Sequence, residues 1–129
     1  MLILPASVRV YLAVEAVDLR RGHDGLCALV RATYALDPHE GHLFAFLGRR
    51  LDRVKVLYWE RGGFVVWYKR LEQGRFKLPR VPAGASSVTL DGPSLAMLVD
   101  GVDLRSVRRV DAWEPKKRTE PRNLPKRTA

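Results

Sequence analysis

Between Asp37 and Pro79 basic and aromatic side chains are interleaved at strand spacing. Arg49, Arg50, Arg53, Lys55, Arg61, Lys69, Arg70, Arg75 and Lys77 fill the joints and ends of three apolar-aromatic runs, against only Asp37, Glu40, Asp52, Glu60 and Glu72. Such a set suits a polyanion with flat rings. Guanidinium forks match phosphate oxygens, and aromatic rings stack on bases. Arg49 and Arg50 at a strand end, with Arg53 across the loop, make a compact basic tip; a solvated loop is the plain alternative. Lys55 and Lys69 lie inside runs otherwise built from Val, Leu, Phe, Tyr and Trp. A lysine there marks an exposed face or guards an edge, because an unpaired buried ammonium is too costly. Both lysines are therefore expected on one open face with at least one of Tyr58, Trp59, Trp67 and Tyr68. The candidate nucleic-acid-binding set is Arg49, Arg50, Arg53, Lys55, Trp59, Trp67, Lys69 and Arg70, extended by Lys116, Lys117 and Arg118 near the C-terminus. Exposed aromatics of this kind suit docking of a partner protein equally.

Catalytic chemistry finds less support. His39 and His42 flank Glu40-Gly41, and His23 is the only other histidine, so a structural or solvent role is the better reading. There is no C-x-x-C pair and no G-x-x-x-x-G-K-[ST] phosphate loop. A two-metal nuclease needs several converging carboxylates, for which Asp18, Asp24 and Asp52 can be proposed. Each has an ordinary alternative: Asp18 satisfying turn backbone groups, Asp24 capping a helix, and Asp52 pairing with a neighbouring arginine. No serine has a histidine near it in sequence. The residues predict no catalytic site, no metal and no cofactor.

These side chains must be held by elements that the hydrophobic pattern outlines. Val8, Val10, Leu12 and Val14 alternate with Arg9, Tyr11, Ala13 and Glu15, a strand with one buried face. Leu26, Leu29, Val30 and Thr33 recur at helical spacing, and Pro38 ends that helix near Leu36. His42 to Gly48, Val54 to Glu60 and Phe64 to Leu71 read as strands. The last two are joined at Arg61-Gly62-Gly63, a hairpin signal; a Gly62-Gly63 turn pairs Trp59 with Val66, and another loop length shifts that register. Arg75 to Leu78 suggests a short edge strand. Asp91 or Ser94 can cap a second helix carrying Leu95, Leu98 and Val99, stopped at Gly101. The expected architecture is α+β: an antiparallel sheet of four to five strands with two helices packed on one face.

Composition sets the outer bounds. At 129 residues and 47% hydrophobic content the chain suits one domain with a modest core. No apolar run reaches the roughly 18 residues needed to span a bilayer, and the start does not read as a secretory signal. Cys27, the only cysteine, has apolar flanks and reads as a structural thiol in a reducing cytoplasm. Net charge is +9, unevenly placed. Residues 1–104 hold 14 Lys/Arg and 11 Asp/Glu, a net +3, whereas residues 105–129 hold nine and three, a net +6. Residues 1–104 are read as one α+β domain and 105–129 as a basic, disordered tail. A basic tail on a nearly balanced domain points to an anionic partner, nucleic acid before a membrane or an acidic protein.

An ordered set of short pieces carries a resemblance. It comprises Asp18-Leu19-Arg20-Arg21-Gly22 with Asp24-Gly25-Leu26, Asp37-Pro38, Gly41, Gly48-Arg49-Arg50, Lys55-Val56-Leu57-Tyr58-Trp59, Gly62-Gly63-Phe64, Lys69-Arg70-Leu71-Glu72, Gly74-Arg75-Phe76 with Pro79, and Leu95-Ala96-Met97-Leu98 with Gly101. In order and spacing, over roughly residues 3 to 104, the chain resembles the accessory protein encoded by the second open reading frame of insertion-sequence-sixty-six transposons, often called TnpB-type. These are distinct from the RNA-guided nucleases that share that label. His23 departs from the pattern, where a bulky apolar residue is expected, and the basic tail has no counterpart in it. The resemblance implies a bacterial protein encoded beside a transposase and needed for efficient transposition. The mechanism expected from the residues is that of a non-catalytic factor binding DNA or bridging it to the transposase. The alternatives are a protein-interaction module that stabilises or loads the transposase without touching DNA, and a small metal-dependent nuclease.

Overall fold

The computed structural model describes residues 7–107 together with Pro115. The tail candidates Lys116, Lys117 and Arg118, and the disorder expected there, lie outside the described residues. The elements run β1 (Val10–Ala13), α1 (His23–Tyr34), a 3₁₀ turn (Pro38–Glu40), β2 (Leu43–Leu47), β3 (Arg53–Glu60), β4 (Gly63–Arg70), β5 (Ser87–Leu90) and α2 (Gly92–Val99). The five strands form one sheet in the order β4-β3-β2-β1-β5.

The fold is α+β with two helices and a mostly antiparallel sheet. One pair departs from the antiparallel expectation: β1 and β2 are parallel, with Val10 opposite Leu43 and Leu12 opposite Ala45. Parallel neighbours need a crossover, and α1 supplies it. Val17 N–H donating to the Leu47 carbonyl at 2.9 Å carries the pairing past the strand ends.

The helices do not share a face. One core cluster joins Leu26, Cys27 and Val30 of α1 to Ala13, Phe44, Phe46 and Leu57. The other joins Leu95 and Leu98 of α2 to Val10, Leu12, Leu43, Ala45, Leu47, Val54 and Val56. Strand side chains alternate between faces, so these two sets are the two sides of the sheet. The physical reason is visible in β2, Leu-Phe-Ala-Phe-Leu, in which every residue is buried. A strand apolar on both faces must be covered on both.

The segment from Leu71 to Ser86 crosses from one edge strand to the other. Its expected edge strand at residues 75–78 does not form. Instead Phe76 is fully buried in the α2-side core, and its N–H donates to the Leu51 carbonyl at 2.6 Å. The β3–β4 hairpin turns at Arg61 (φ 43°) and Gly62 (φ 87°), one residue earlier than a Gly62-Gly63 turn. Two successive positive φ values suit the twist of a two-residue hairpin. The register pairs Trp59 with Phe64, Val56 with Trp67, Lys55 with Tyr68 and Arg53 with Arg70. Asp91 caps α2, accepting from Ser94 N–H at 2.8 Å. Gly22, not Asp24, is the N-cap of α1; Asp24 sits in its first turn, where a carboxylate favours the helix dipole.

Candidate nucleic-acid interface

Because β1 and β2 are parallel, their C-terminal ends lie together, beside the start of β3 and the end of β4. Arginines converge there. The β2–β3 connection folds as a turn in which Leu51 N–H donates to the Gly48 carbonyl at 2.9 Å, placing Arg49 and Arg50 at its apex. Leu51 takes φ 62°, a strained value for a branched residue. The turn is pinned on two sides: Gly48 N–H donates to the Arg53 carbonyl at 3.1 Å, and Phe76 holds the Leu51 carbonyl. Leu19, from the β1–α1 loop, packs against it so closely that a Cβ at Gly48 would lie 3.2 Å from Leu19 Cδ1. The result is a shallow groove of about 580 Å³ lined by Val17, Asp18, Leu19, Arg20, Gly48, Arg49, Arg50, Asp52 and Arg53.

Its charges are unequally satisfied. Arg20 grips Asp18 with Nε and Nη2, the shortest contact being 2.6 Å, and its backbone N–H adds a further bond at 3.0 Å. These bonds hold the Asp18 carboxyl well below the usual carboxylate range and raise Arg20 further. Asp18 thus remains ionised and turn-bound, as its place before a turn suggested. Asp52 reaches Arg53 only at 4.0 Å. Arg21, Arg49 and Arg50 have no ion pair among the described residues. The guanidiniums at the apex are solvated and uncommitted, the state in which they can take phosphate oxygens.

The candidate residues divide accordingly. Arg49, Arg50, Arg53, Lys55 and Arg70 gather at this end, with Lys55, Arg53 and Arg70 on the α1 side of the sheet. Lys69 is at the same end but on the α2 side, so the two lysines do not share an open face. Neither is paired with a carboxylate among the described residues. Lys55 Nζ donates to the Arg21 carbonyl and Lys69 Nζ to the Val99 carbonyl, each at 2.8 Å. Lys69 thereby satisfies a C-terminal carbonyl of α2, where positive charge is favoured. Trp59 is six residues along β3 from Arg53, about 20 Å away. It is half-buried against His39 and Phe64, with ring centroids 4.8 and 4.9 Å away. Trp67 is half-buried on the α2 side against the core. Neither tryptophan flanks the arginine tip. Arg20, Arg21 and Tyr68 were absent from the candidate set. The run Asp18 to Gly22 is visible in sequence, but only the parallel β1–β2 pair brings it to Gly48.

A family match spans this whole arrangement. Residues 8–109, covering every element above, match the family described as IS66 Orf2 like protein. This chain belongs to the IS66 Orf2-like family. Two relatives from Sinorhizobium fredii (strain NBRC 101917 / NGR234) align over 111 residues: the uncharacterized protein y4jC at 36% identity and the uncharacterized protein y4hO at 33%. Each alignment covers 86% of this chain and 93% of the relative. No solved structure gives a significant match. The family is one of accessory proteins of insertion-sequence transposition.

In this IS66 Orf2-like protein the three proposed carboxylates do not assemble. Among the described residues no three His, Cys, Asp or Glu side chains lie where they could hold a metal ion together. Cys27 is buried in the α1-side core, and burial raises its thiol pKa, which disfavours the thiolate. No helix among the described residues is long and apolar enough to cross a membrane.

Proposed function

We propose that this protein is a non-catalytic accessory factor of insertion-sequence transposition, acting in the cytoplasm, which holds DNA on the basic end of its sheet and presents it to the transposase. The observation that carries this reading is the pinned turn bearing Arg49 and Arg50, exposed and without ion pairs among the described residues, beside Arg53. Surface arginines usually find water or a loose partner at little energetic consequence. Here two are carried on a turn whose backbone is already held, so less backbone ordering entropy opposes binding. The excess of basic residues after position 104 adds to the attraction of the whole chain for a polyanion.

The test is binding of purified full-length protein to DNA, with parallel co-purification of the transposase. The expected result is salt-sensitive DNA binding that weakens when Arg49 and Arg50 are both changed to Gln. Transposase capture that survives nuclease treatment, with no DNA binding by the protein alone, refutes the DNA reading in favour of a protein-interaction module. Mg²⁺-dependent nicking refutes the non-catalytic one.

A further inference from the structure

On the α1 side of β3 and β4, next to the arginine tip, two cross-strand pairs stand side by side: Arg53 opposite Arg70, and Lys55 opposite Tyr68. Like charges directly opposite one another in an antiparallel pair oppose sheet formation. Asp52 reaches Arg53 at 4.0 Å and Glu72 reaches Arg70 at 3.1 Å, but no carboxylate among the described residues bridges the two guanidiniums. Both remain about half exposed, at 46% and 55% of their side-chain surface. The pair therefore sets two positive residues opposite each other on a paired ladder, with a local cost that a bound anion would offset.

Tyr68 completes it. At 48% exposure it is the most solvent-exposed large apolar side chain of the described residues. Lys55 Nζ lies 5.0 Å from the ring centroid, while the same ammonium is held by the Arg21 carbonyl. The ring is thus fixed from its inner side by a cation–π contact. β4 is an edge strand, so among the described residues no further strand borders the ring on its outer side. An exposed, oriented aromatic ring beside a guanidinium pair is the pairing of stacking platform and backbone anchor that unpaired strands require. A duplex buries its base faces in its own stack and leaves such a ring nothing to cover.

We infer that Tyr68, with Lys55 behind it and Arg53 and Arg70 beside it, is a stacking site for an unpaired DNA strand, so that the protein prefers single-stranded to duplex DNA at this surface. This rests on the DNA-binding reading above and specifies the form of DNA taken. The experiment compares the full chain and its variants on a labelled oligothymidylate and on a duplex of equal length. Tyr68→Ala is expected to weaken single-strand binding about 5- to 150-fold and to leave duplex binding within about twofold. Tyr68→Leu, which keeps an apolar side chain on the edge strand but no flat ring, should behave as Tyr68→Ala does. Tyr68→Phe should bind as the parent does, because stacking does not need the hydroxyl. Retained duplex binding by each variant reports an intact fold. Unchanged single-strand affinity in Tyr68→Ala, while Arg49→Gln/Arg50→Gln still weakens binding, overturns the stacking site and leaves the backbone reading standing. Failure of the parent protein to bind either DNA overturns both.

Discussion

Replacing Arg49 and Arg50 together by Gln tests the arginine tip by a quantity that fold stability does not enter. Each phosphate contact made by a cation releases counterions and adds about 0.9 to the slope of log affinity against log salt on duplex DNA, and about 0.7 on a single strand. Arg20 is already occupied by Asp18, and Arg53 faces Asp52 at 4.0 Å, so the two apex residues are the clean pair to remove. The double variant should flatten the slope by about 1.8 on duplex and about 1.4 on single strands. Between roughly 50 and 200 mM salt the parent should then lose about twelvefold more duplex affinity than the variant. Both side chains sit on an exposed turn whose backbone is held by Gly48, Arg53 and Phe76, so stability should change by no more than about 0.5 kcal/mol. Arg61→Gln is the matched control, because Arg61 lies in the hairpin at the opposite end of β3. The assay is fluorescence anisotropy across a salt series. An unchanged slope in the double variant, or an equal change in Arg61→Gln, refutes the placement of DNA at this end.

Neutralising Lys116, Lys117 and Arg118 together should flatten the duplex slope by about 2 to 3 units, independently of the tip; an unchanged slope would show that these residues do not touch the backbone. Lys69→Met removes the hydrogen bond to the Val99 carbonyl and should lower stability by about 1–2 kcal/mol in urea unfolding without altering DNA affinity, whereas weakened binding by a folded Lys69→Met would return this residue to the interface. Tyr34 carries a buried hydroxyl with no hydrogen-bond partner among the described residues, so Tyr34→Phe should stabilise the fold by about 1 kcal/mol, and a destabilised variant would reveal an unseen partner. Burial also pushes the Tyr34 pKa up to about 12 from its usual 10. The native state therefore holds a proton that the unfolded chain releases, and this contribution to stability, complete below pH 10, should drain away as pH rises from about 10 to 12; the melting temperature of Tyr34→Phe should fall less over that range.

The sequence by itself was enough for the fold class, for most elements, and for the family, because periodicity and an ordered set of short motifs are properties of the chain. Val10 to Ala13, the helix through Leu26 and Val30, the β3–β4 hairpin and the Asp91-capped helix are all local consequences of side-chain spacing, turn residues and capping. The two-sided cover of the sheet departs from the expectation of both helices on one face, although Leu43 to Leu47 is an uninterrupted apolar run that demands it. What only the tertiary structure decided was register and adjacency. Moving the hairpin turn to Arg61-Gly62 set which residues face one another across β3 and β4, and so placed Arg53 against Arg70 and Lys55 against Tyr68. The parallel β1–β2 pair brought Asp18 to Arg20 alongside Gly48 to Arg50, segments about thirty residues apart in sequence. Long-range strand pairing is chosen by the total burial of two faces at once. No short window of sequence contains that information, and so the arginine tip was legible as residue types while its neighbours, and the exposure of Tyr68 rather than of Trp59 or Trp67, were not.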